Sequence, residues 1–330
     1  MRGNIIKTEN RKELTLKRSF LRRNYVLSLN KSLCSGCGLC AKICPKEAIN
    51  VVPAETAEGR LIKKPAIAFD LNSCILCGEC AVLCPLNALR MEVDGKEISV
   101  IVKNEAFPVL RKEINVAVEK CDPECGLMCQ TECPSEAIKI SAERLENGEI
   151  VEINEVQIDE SLCFYCERCQ LVCPQDAIDV KKPFQGKVEL NSDLCPSGCM
   201  VCVDVRPTKA IQLENGKPVV LPQFCVFCSA CQNVCPKEAI NVTRDWVFHS
   251  DIKAAAWLTA LKKFASFKTV MKELRVKSGR KRTSLVQNRT IHAISKPEPP
   301  ISAQAIAFLA LLEEYKSSVG ATPKSKRYPT

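Results

Sequence analysis

Residues 34–49 read CSGCGLCAKICPKEAI, and residues 163–178 read CFYCERCQLVCPQDAI. In both, three cysteines spaced C-x2-C-x2-C are followed after three residues by Cys-Pro, and then by Ala-Ile. The frame recurs along the chain. Cys44, Cys84, Cys133, Cys173 and Cys235 each precede Pro and, two residues further, Ala with an aliphatic residue. A sixth copy, Arg206-Pro207-Thr208-Lys209-Ala210-Ile211, keeps the frame with arginine in place of cysteine. Regular spacing holds for Cys34/Cys37/Cys40/Cys44, Cys74/Cys77/Cys80/Cys84, Cys163/Cys166/Cys169/Cys173 and Cys225/Cys228/Cys231/Cys235. The third set, Cys121/Cys125/Cys129/Cys133, is stretched throughout, and the fifth, Cys195/Cys199/Cys202, is stretched once before it meets Arg206. These sets use all 23 cysteines.

The spacing suits a cube with four iron corners. A short loop wraps three corners with closely spaced thiolates, and the fourth cysteine of the run reaches the other cluster of a two-cluster pair. Glycine at 36, 38, 78, 126 and 198 lets the loop bend around inorganic sulfur. Proline after the fourth cysteine steers the chain away, and the Ala-Ile that follows is placed to keep water off the site. A lone C-x2-C pair would suit zinc; five complete quartets with Cys-Pro endings read as iron–sulfur ligation.

The six Xaa-Pro marks pair best as first with second, third with fourth and fifth with sixth, because the first two pairs then have equal intervals and no motif is orphaned. Cross-ligation assigns Cys34, Cys37, Cys40 and Cys84 to one site, and Cys74, Cys77, Cys80 and Cys44 to its neighbour. The next pair comprises Cys121, Cys125, Cys129 with Cys173, and Cys163, Cys166, Cys169 with Cys133. The last comprises Cys195, Cys199, Cys202 with Cys235, and Cys225, Cys228, Cys231 with Arg206 where a thiolate belongs. The expectation is five 4Fe-4S clusters and one atypical site beside Arg206, either 3Fe-4S or a three-cysteine 4Fe-4S completed by water or a carboxylate such as Asp204. Apolar or alternating stretches at Lys64 to Leu71 and Val151 to Ile158 predict short strands. The fold class is therefore α+β: three tandem bacterial-type two-cluster ferredoxin-like units with a helical C-terminal extension.

Composition fits small metal-supported units. Aromatics make up 5% of 330 residues, so side-chain cores are thin and metal has to supply folding energy. An odd cysteine count in tight groups speaks against a disulfide framework. Residues 1–30 lack the apolar stretch of a secretory leader, and the longest apolar run, Ile301 to Leu312, is too short to span a bilayer. The chain reads as soluble and cytoplasmic. The formal net charge of +9 divides into +6 over residues 1–30, +11 over 241–330 and −8 between them. The domains read as a basic N-terminal arm (1–30), ferredoxin-like unit 1 with a linker (31–118), unit 2 (119–186), unit 3 (187–243) and a basic helical docking arm (244–330). In the last, Ser250 suits a helix cap, and Trp257, Leu261, Phe264, Met271 and Leu274 form an apolar stripe. A second helical pattern covers Ser302 to Val319. These helices either cap the third unit or dock on a partner. The basic run Arg280-Lys281-Arg282 comes without a stacking platform, so nucleic acid is not an expected partner. His249 and His292 read as surface residues rather than ligands.

The six-motif core over residues 31–243 resembles archaeal polyferredoxins. The long basic lead, the stretched quartets and the run Asn241-Val242-Thr243-Arg244 through His249 into Ala254-Ala255-Ala256-Trp257 most resemble the F (polyferredoxin) subunit of formylmethanofuran dehydrogenase. That resemblance implies a non-catalytic subunit carrying low-potential electrons for CO2 reduction in methanogenesis, partnered by other subunits of the oxidoreductase complex and by ferredoxin or another redox protein. The chain differs in having three units rather than more. No residue reads as a catalytic base or nucleophile, so the chemistry falls to partners. Two other roles remain open: a polyferredoxin of a hydrogenase or heterodisulfide reductase complex, and a free electron-storage or shuttle protein.

Overall fold

Six short helices, Leu39–Ile43, Glu79–Val82, Met128–Thr131, Arg168–Val172, Val201–Val205 and Ala230–Val234, each stop immediately before a Cys-Pro or Arg206-Pro207, or one residue short of that point. The structure is a computed structural model that describes residues 4–275 apart from residues 98, 147, 148 and 253. Past each proline the chain turns through a residue with positive φ: Glu47, Asn87, Glu136, Asp176, Lys209 and Glu238, all between 48 and 55°. The Arg206 copy thus keeps the backbone of the other five. The Ala-Ile or Ala-Leu pair that follows is buried in every copy, from Ala48 and Ile49 to Ala239 and Ile240, with no member above 6% exposed.

Each turn leads into a strand, and the strands pair in a crossed pattern. The strand after the first motif of a pair joins the strand leading into the second: Ile49–Val52 with Ala66–Phe69, Ile138–Arg144 with Ile150–Ile158, and Ile211–Glu214 with Lys217–Val220. The strand after the second motif returns to the strand ahead of the first: Leu89–Val93 with Asn24–Asn30, Ile178–Lys181 with Glu113–Val116, and Ile240–Val247 with Phe184–Leu190. All six pairings are antiparallel, and they define three repeats over residues 24–93, 113–181 and 184–247. In the third, Gly186 sits at a register shift where an added Cβ would lie 1.8 Å from the carbonyl oxygen of Thr243.

Three expectations change. Residues 6–30, read as a basic arm, are three strands, Ile6–Glu9, Glu13–Ser19 and Asn24–Asn30, that extend the first repeat into a five-stranded sheet with Leu89–Val93 and Lys96–Glu97. Their alternation explains it: Leu14, Leu16, Leu27 and Leu29 face the core at 3% exposure or less, while Lys17 points outward and Arg18, on the leucine face, reaches the Cys74 carbonyl at 3.4 Å. The third repeat runs beyond 187–243, because Phe184 opens one strand and Val247 closes the other. Ser250 is not a helix cap; its hydroxyl accepts a hydrogen bond from the Val109 amide at 3.0 Å, and the helix Ala255–Phe264 is capped at Ala254.

That helix buries its apolar stripe on the body of the chain. Trp257, Leu261 and Phe264 join Leu39 and Ile43 of the first repeat and Phe184 of the third in one apolar cluster. The helix stops at Phe264, and residues 267–275 are helical again, with Leu274 37% exposed. The capping alternative therefore holds for Ala255–Phe264. The second helical pattern, Ser302 to Val319, and His292 lie outside the described residues. Among the described residues, no helix is long and apolar enough to cross a membrane.

Candidate iron–sulfur sites

The crossed strands bring the end of each motif to its partner. Cys34, Cys37, Cys40 and Cys84 line one cavity, together with Leu29, Ile67 and Leu89. Cys44, Cys74, Cys77 and Cys80 line a second with Leu27, Ile49 and Phe69. A third is lined by Cys121, Cys125, Cys129 and Cys173, with Val116, Ile140 and Ile178. Cys195, Cys199, Cys202 and Cys235 line a fourth with Val201 and Ile240. In all four, three thiols come from one motif and the fourth from its partner. Cys133 lies among Cys163, Cys166 and Cys169 closely enough for its charge to bear on all three. Cys225, Cys228 and Cys231 likewise act on one another.

The loops present backbone donors to sulfur. The amide of Gly36 donates to Cys34 Sγ at 3.4 Å, that of Tyr165 to Cys163 at 3.4 Å and that of Phe227 to Cys225 at 3.3 Å. Behind the Cys-Pro turns, Ala48, Ala137, Ala177 and Ala239 donate to Cys44, Cys133, Cys173 and Cys235, each at 3.3 Å. Such bonds favour the thiolate over the thiol. The loop conformation is demanding at Gly36, with φ of +65° and space for a Cβ blocked by Pro65 at 2.5 Å.

Burial works against the thiolate. It pushes the Cys34, Cys37, Cys163 and Cys169 thiols up to about 12 and Cys77, Cys129, Cys202 and Cys228 to about 11, with neighbouring sulfurs adding to the effect in each case. Cys40, Cys80 and Cys231 are raised further for the same reason. Sulfurs gathered this way ionise beside a polycation and stay protonated without one. Among the described residues, no three or more Cys, His, Asp or Glu side chains gather as a single-ion site gathers them. A cluster with four iron corners fits the wider arrangement and supplies the missing charge.

Arg206 does not stand alone. Burial and the charge of Arg168 lower its pKa, Asp204 and Cys202 oppose them, and its Nη1 is buried without a hydrogen-bond partner. The carboxylate of Asp204 is committed elsewhere: Oδ2 lies 3.1 Å from Arg60 Nε and accepts from the Leu61 amide at 3.1 Å. The structure therefore does not favour Asp204 as a fourth ligand. The cations bearing on Cys225 are Lys182 and Arg244, which the sequence reading passed over. Lys182 is 6% exposed and Arg244 5% exposed. Neither carries a local signal, since a Lys-Lys pair and an Arg within a strand are ordinary surface features. His249 is half-buried rather than superficial, with its ring 5.0 Å from Trp257 and Nε2 3.6 Å from Glu273 Oε2.

Comparison with known proteins agrees on the chemistry. A family model described as a 4Fe-4S dicluster domain matches residues 33–88 and 120–177. A second dicluster model matches residues 66–134, and a 4Fe-4S binding domain matches 225–239. The second dicluster match would join the second motif to the third; the cavities and strand pairings follow the first. Formate hydrogenlyase subunit 2 of Escherichia coli is 36% identical over 99 residues, which is 29% of this chain and 47% of that protein. Polyferredoxin protein MvhB of Methanothermobacter marburgensis is 29% identical over 97 residues, 26% of this chain and 22% of that one. The chain thus spans less than half the length of these curated relatives. A chain in the formate dehydrogenase – heterodisulfide reductase – formylmethanofuran dehydrogenase complex of Methanospirillum hungatei superposes with a TM-score of 0.69 at 29% identity, covering 81% of this chain and 92% of that one. The chain carries ferredoxin-type 4Fe-4S dicluster domains and is an iron–sulfur protein similar to polyferredoxins and to a subunit of a multi-enzyme oxidoreductase complex.

Proposed function

We propose that the chain is a three-unit, six-site polyferredoxin that carries low-potential electrons within an oxidoreductase complex of the formylmethanofuran dehydrogenase type, in the cytoplasm. The observation that carries this reading is the lining of four cavities by three cysteines of one motif and the fourth of its partner. In this reading the 23 cysteines hold five 4Fe-4S clusters and one atypical site at Cys225, Cys228 and Cys231. When bound, the clusters supply one-electron chemistry over a broad range of potentials. The protein's part is to fix them. Cross-ligation ties the two halves of each repeat together, backbone amides bond the sulfurs, and the buried Ala-Ile pairs keep water away. Catalysis belongs to partner subunits. The superposition on a chain of the Methanospirillum complex, over nearly that chain's full length, supports placement in such an assembly.

The same Methanospirillum complex includes heterodisulfide reductase, which supports a second reading as the wire of that enzyme. Anaerobic purification of the full chain from its host, with iron analysis and mass spectrometry of whatever stays bound, tests both. The expected result is about 23 to 24 irons per chain from six sites, with formylmethanofuran dehydrogenase subunits retained. Stoichiometric zinc without iron would overturn the cluster reading, and a chain that purifies alone would favour a free shuttle.

A further inference from the structure

Three of the six cysteine sets meet one another, and a cation stands at each meeting. Between the first and second repeats, Lys112 Nζ donates to the carbonyl of Cys84 at 3.1 Å and to Asn87 Oδ1 at 2.6 Å, while Asn87 Nδ2 donates to the carbonyl of Cys163 at 3.0 Å. The Lys112 charge bears on both Cys84 and Cys163. Between the second and third repeats, buried Lys182 pairs with Glu167 at 2.9 Å and donates to the carbonyls of Gln223 and, at 3.4 Å, Cys225. It bears on Cys166 and Cys225. Between the third and first repeats, buried Arg244 donates from Nη2 to Ser229 Oγ at 2.9 Å and from Nη1 to the Phe264 carbonyl at 3.1 Å. It bears on Cys37, Cys228 and Cys225. At the same seam Asn233 Nδ2 donates to the carbonyl of Cys37 at 2.6 Å.

The pattern closes on itself. The set Cys34/Cys37/Cys40/Cys84 shares Lys112 with the set Cys133/Cys163/Cys166/Cys169; that set shares Lys182 with Cys225/Cys228/Cys231; and those three share Arg244 with the first. Of the other three sets, Cys195/Cys199/Cys202/Cys235 also touches the first repeat, where Cys199 lies against Gly59, but no cation joins it to a second of these sets there. Arg18 donates to the carbonyl of Cys74 at 3.4 Å, and Lys217 bears on Cys195, but neither is shared with a second set.

On the cluster reading given above, we propose that Lys112, Lys182 and Arg244 join three of the six sites into a three-cornered electron hub, each cation setting the reduction potentials of two sites from different repeats. Adding one electron to a site deepens its negative charge, with no bond made and no proton required. A fixed cation between two sites favours the reduced form of both. The remaining three sites are the arms of the hub, so an electron delivered to one arm can leave by either of the others. The chain is a distributor rather than a single file of carriers.

The test is potentiometric EPR of the anaerobically purified full chain, with each signal assigned by Cys-to-Ser variants of its set. Lys182→Met should lower the potentials of the Cys133/Cys163/Cys166/Cys169 and Cys225/Cys228/Cys231 sites together and leave the other four in place. Arg244→Gln should lower Cys225/Cys228/Cys231 and Cys34/Cys37/Cys40/Cys84; Lys112→Met should lower Cys34/Cys37/Cys40/Cys84 and Cys133/Cys163/Cys166/Cys169. The expected fall in each reduction equilibrium is about tenfold, or about 59 mV for one electron. Glu167→Gln keeps Lys182 and removes its counter-charge, so it should move the Lys182 pair of sites upward and serves where Lys182→Met does not retain iron. Arg18→Gln should move only the site of Cys74. Shifts confined to one site, or spread over all six, at full iron content would overturn the hub while leaving the cluster reading intact. A wild-type chain without iron would overturn the cluster reading itself.

Discussion

The second and third repeats build the same two pairs of antiparallel strands and differ in what holds them. The third shares with the first an apolar seam in which Trp257, Phe184, Leu39 and Leu261 are at most 2% exposed, closed by the helix Ala255–Phe264. Among the described residues, the second has no added strand and no α-helix beyond those of its two motifs. Its own buried cluster is seven residues, two of them cysteines, Cys163 and Cys169. It meets its neighbours mainly through polar groups: Asn87 and Arg90 from the first repeat donate to the carbonyls of Cys163 and Ser161, and Arg168 stacks 4.2 Å over Phe224 of the third and donates to the Lys209 carbonyl. Its Phe164 and Cys166, with the partly buried Leu162, reach the larger apolar cluster. One motif can thus be supported by apolar burial or left to depend on its metal, and the choice lies in what the chain adds around it.

Removing the metal should separate the two repeats most. Chelation is expected to unfold the second repeat first, because ligand binding is folding energy where little other core exists. Hydrogen exchange read at the strands Glu113–Val116 and Ile178–Lys181 should lose protection ahead of Phe184–Leu190 and Ile240–Val247. Equal loss across all four strands would remove the distinction. The reverse experiment is Trp257→Ala. Emptying a fully buried tryptophan site is expected to cost about 3–5 kcal/mol, read by denaturant unfolding of the holo chain, with the seam of the first and third repeats loosened and the second repeat's exchange unchanged.

Gly186→Ala should act locally. A Cβ 1.8 Å from the Thr243 carbonyl oxygen forces the strands Phe184–Leu190 and Ile240–Val247 apart, at a cost of about 1–3 kcal/mol. The same unfolding measurement should show it, again sparing the second repeat. Arg206→Cys should barely alter stability, since it sits in a turn whose backbone already matches the five cysteine copies. Its effect should be spectroscopic: a 3Fe-4S or atypical EPR signal from the Cys225/Cys228/Cys231 site, expected in the wild type, should give way to an ordinary 4Fe-4S signal with about one additional iron at most. Lys181→Ala should do least. The Lys181–Glu113 ion pair closes at 2.6 Å, but its side chains are 58% and 45% exposed, so solvent and salt screening leave it little part in stability. A larger loss would mean that surface charge, and not metal, supports the second repeat.

Much of the architecture was legible because the repeat is local chemistry. Cys-Pro endings, a positive-φ turn and a buried Ala-Ile pair recur within a few residues of one another, and the strands near Lys64 to Leu71 and Val151 to Ile158 showed in their alternation. The N-terminal strands were less legible. Glu13–Ser19 carries its leucines on one face, but Lys7, Arg11, Lys12, Lys17 and Arg18 dominate a count of charge, and charge counting took the segment for a free arm. The stripe Trp257–Leu261–Phe264 was visible as well. What it would bury against was not, because Leu39, Ile43 and Phe184 are distant in sequence and belong to two different repeats.

By itself the amino-acid sequence determined the ligand type, the number of motifs and their order, because coordination depends on thiolates at short spacings and a loop's reach is set by the residues within it. Only the tertiary structure decided which sites face which. Lys182 and Arg244 are unremarkable as letters; they become potential-setting groups because strand pairing and the seam with the helix Ala255–Phe264 carry them out of water and set them between cysteines of separate repeats. Charge acts through distance and dielectric, and both are properties of the folded chain.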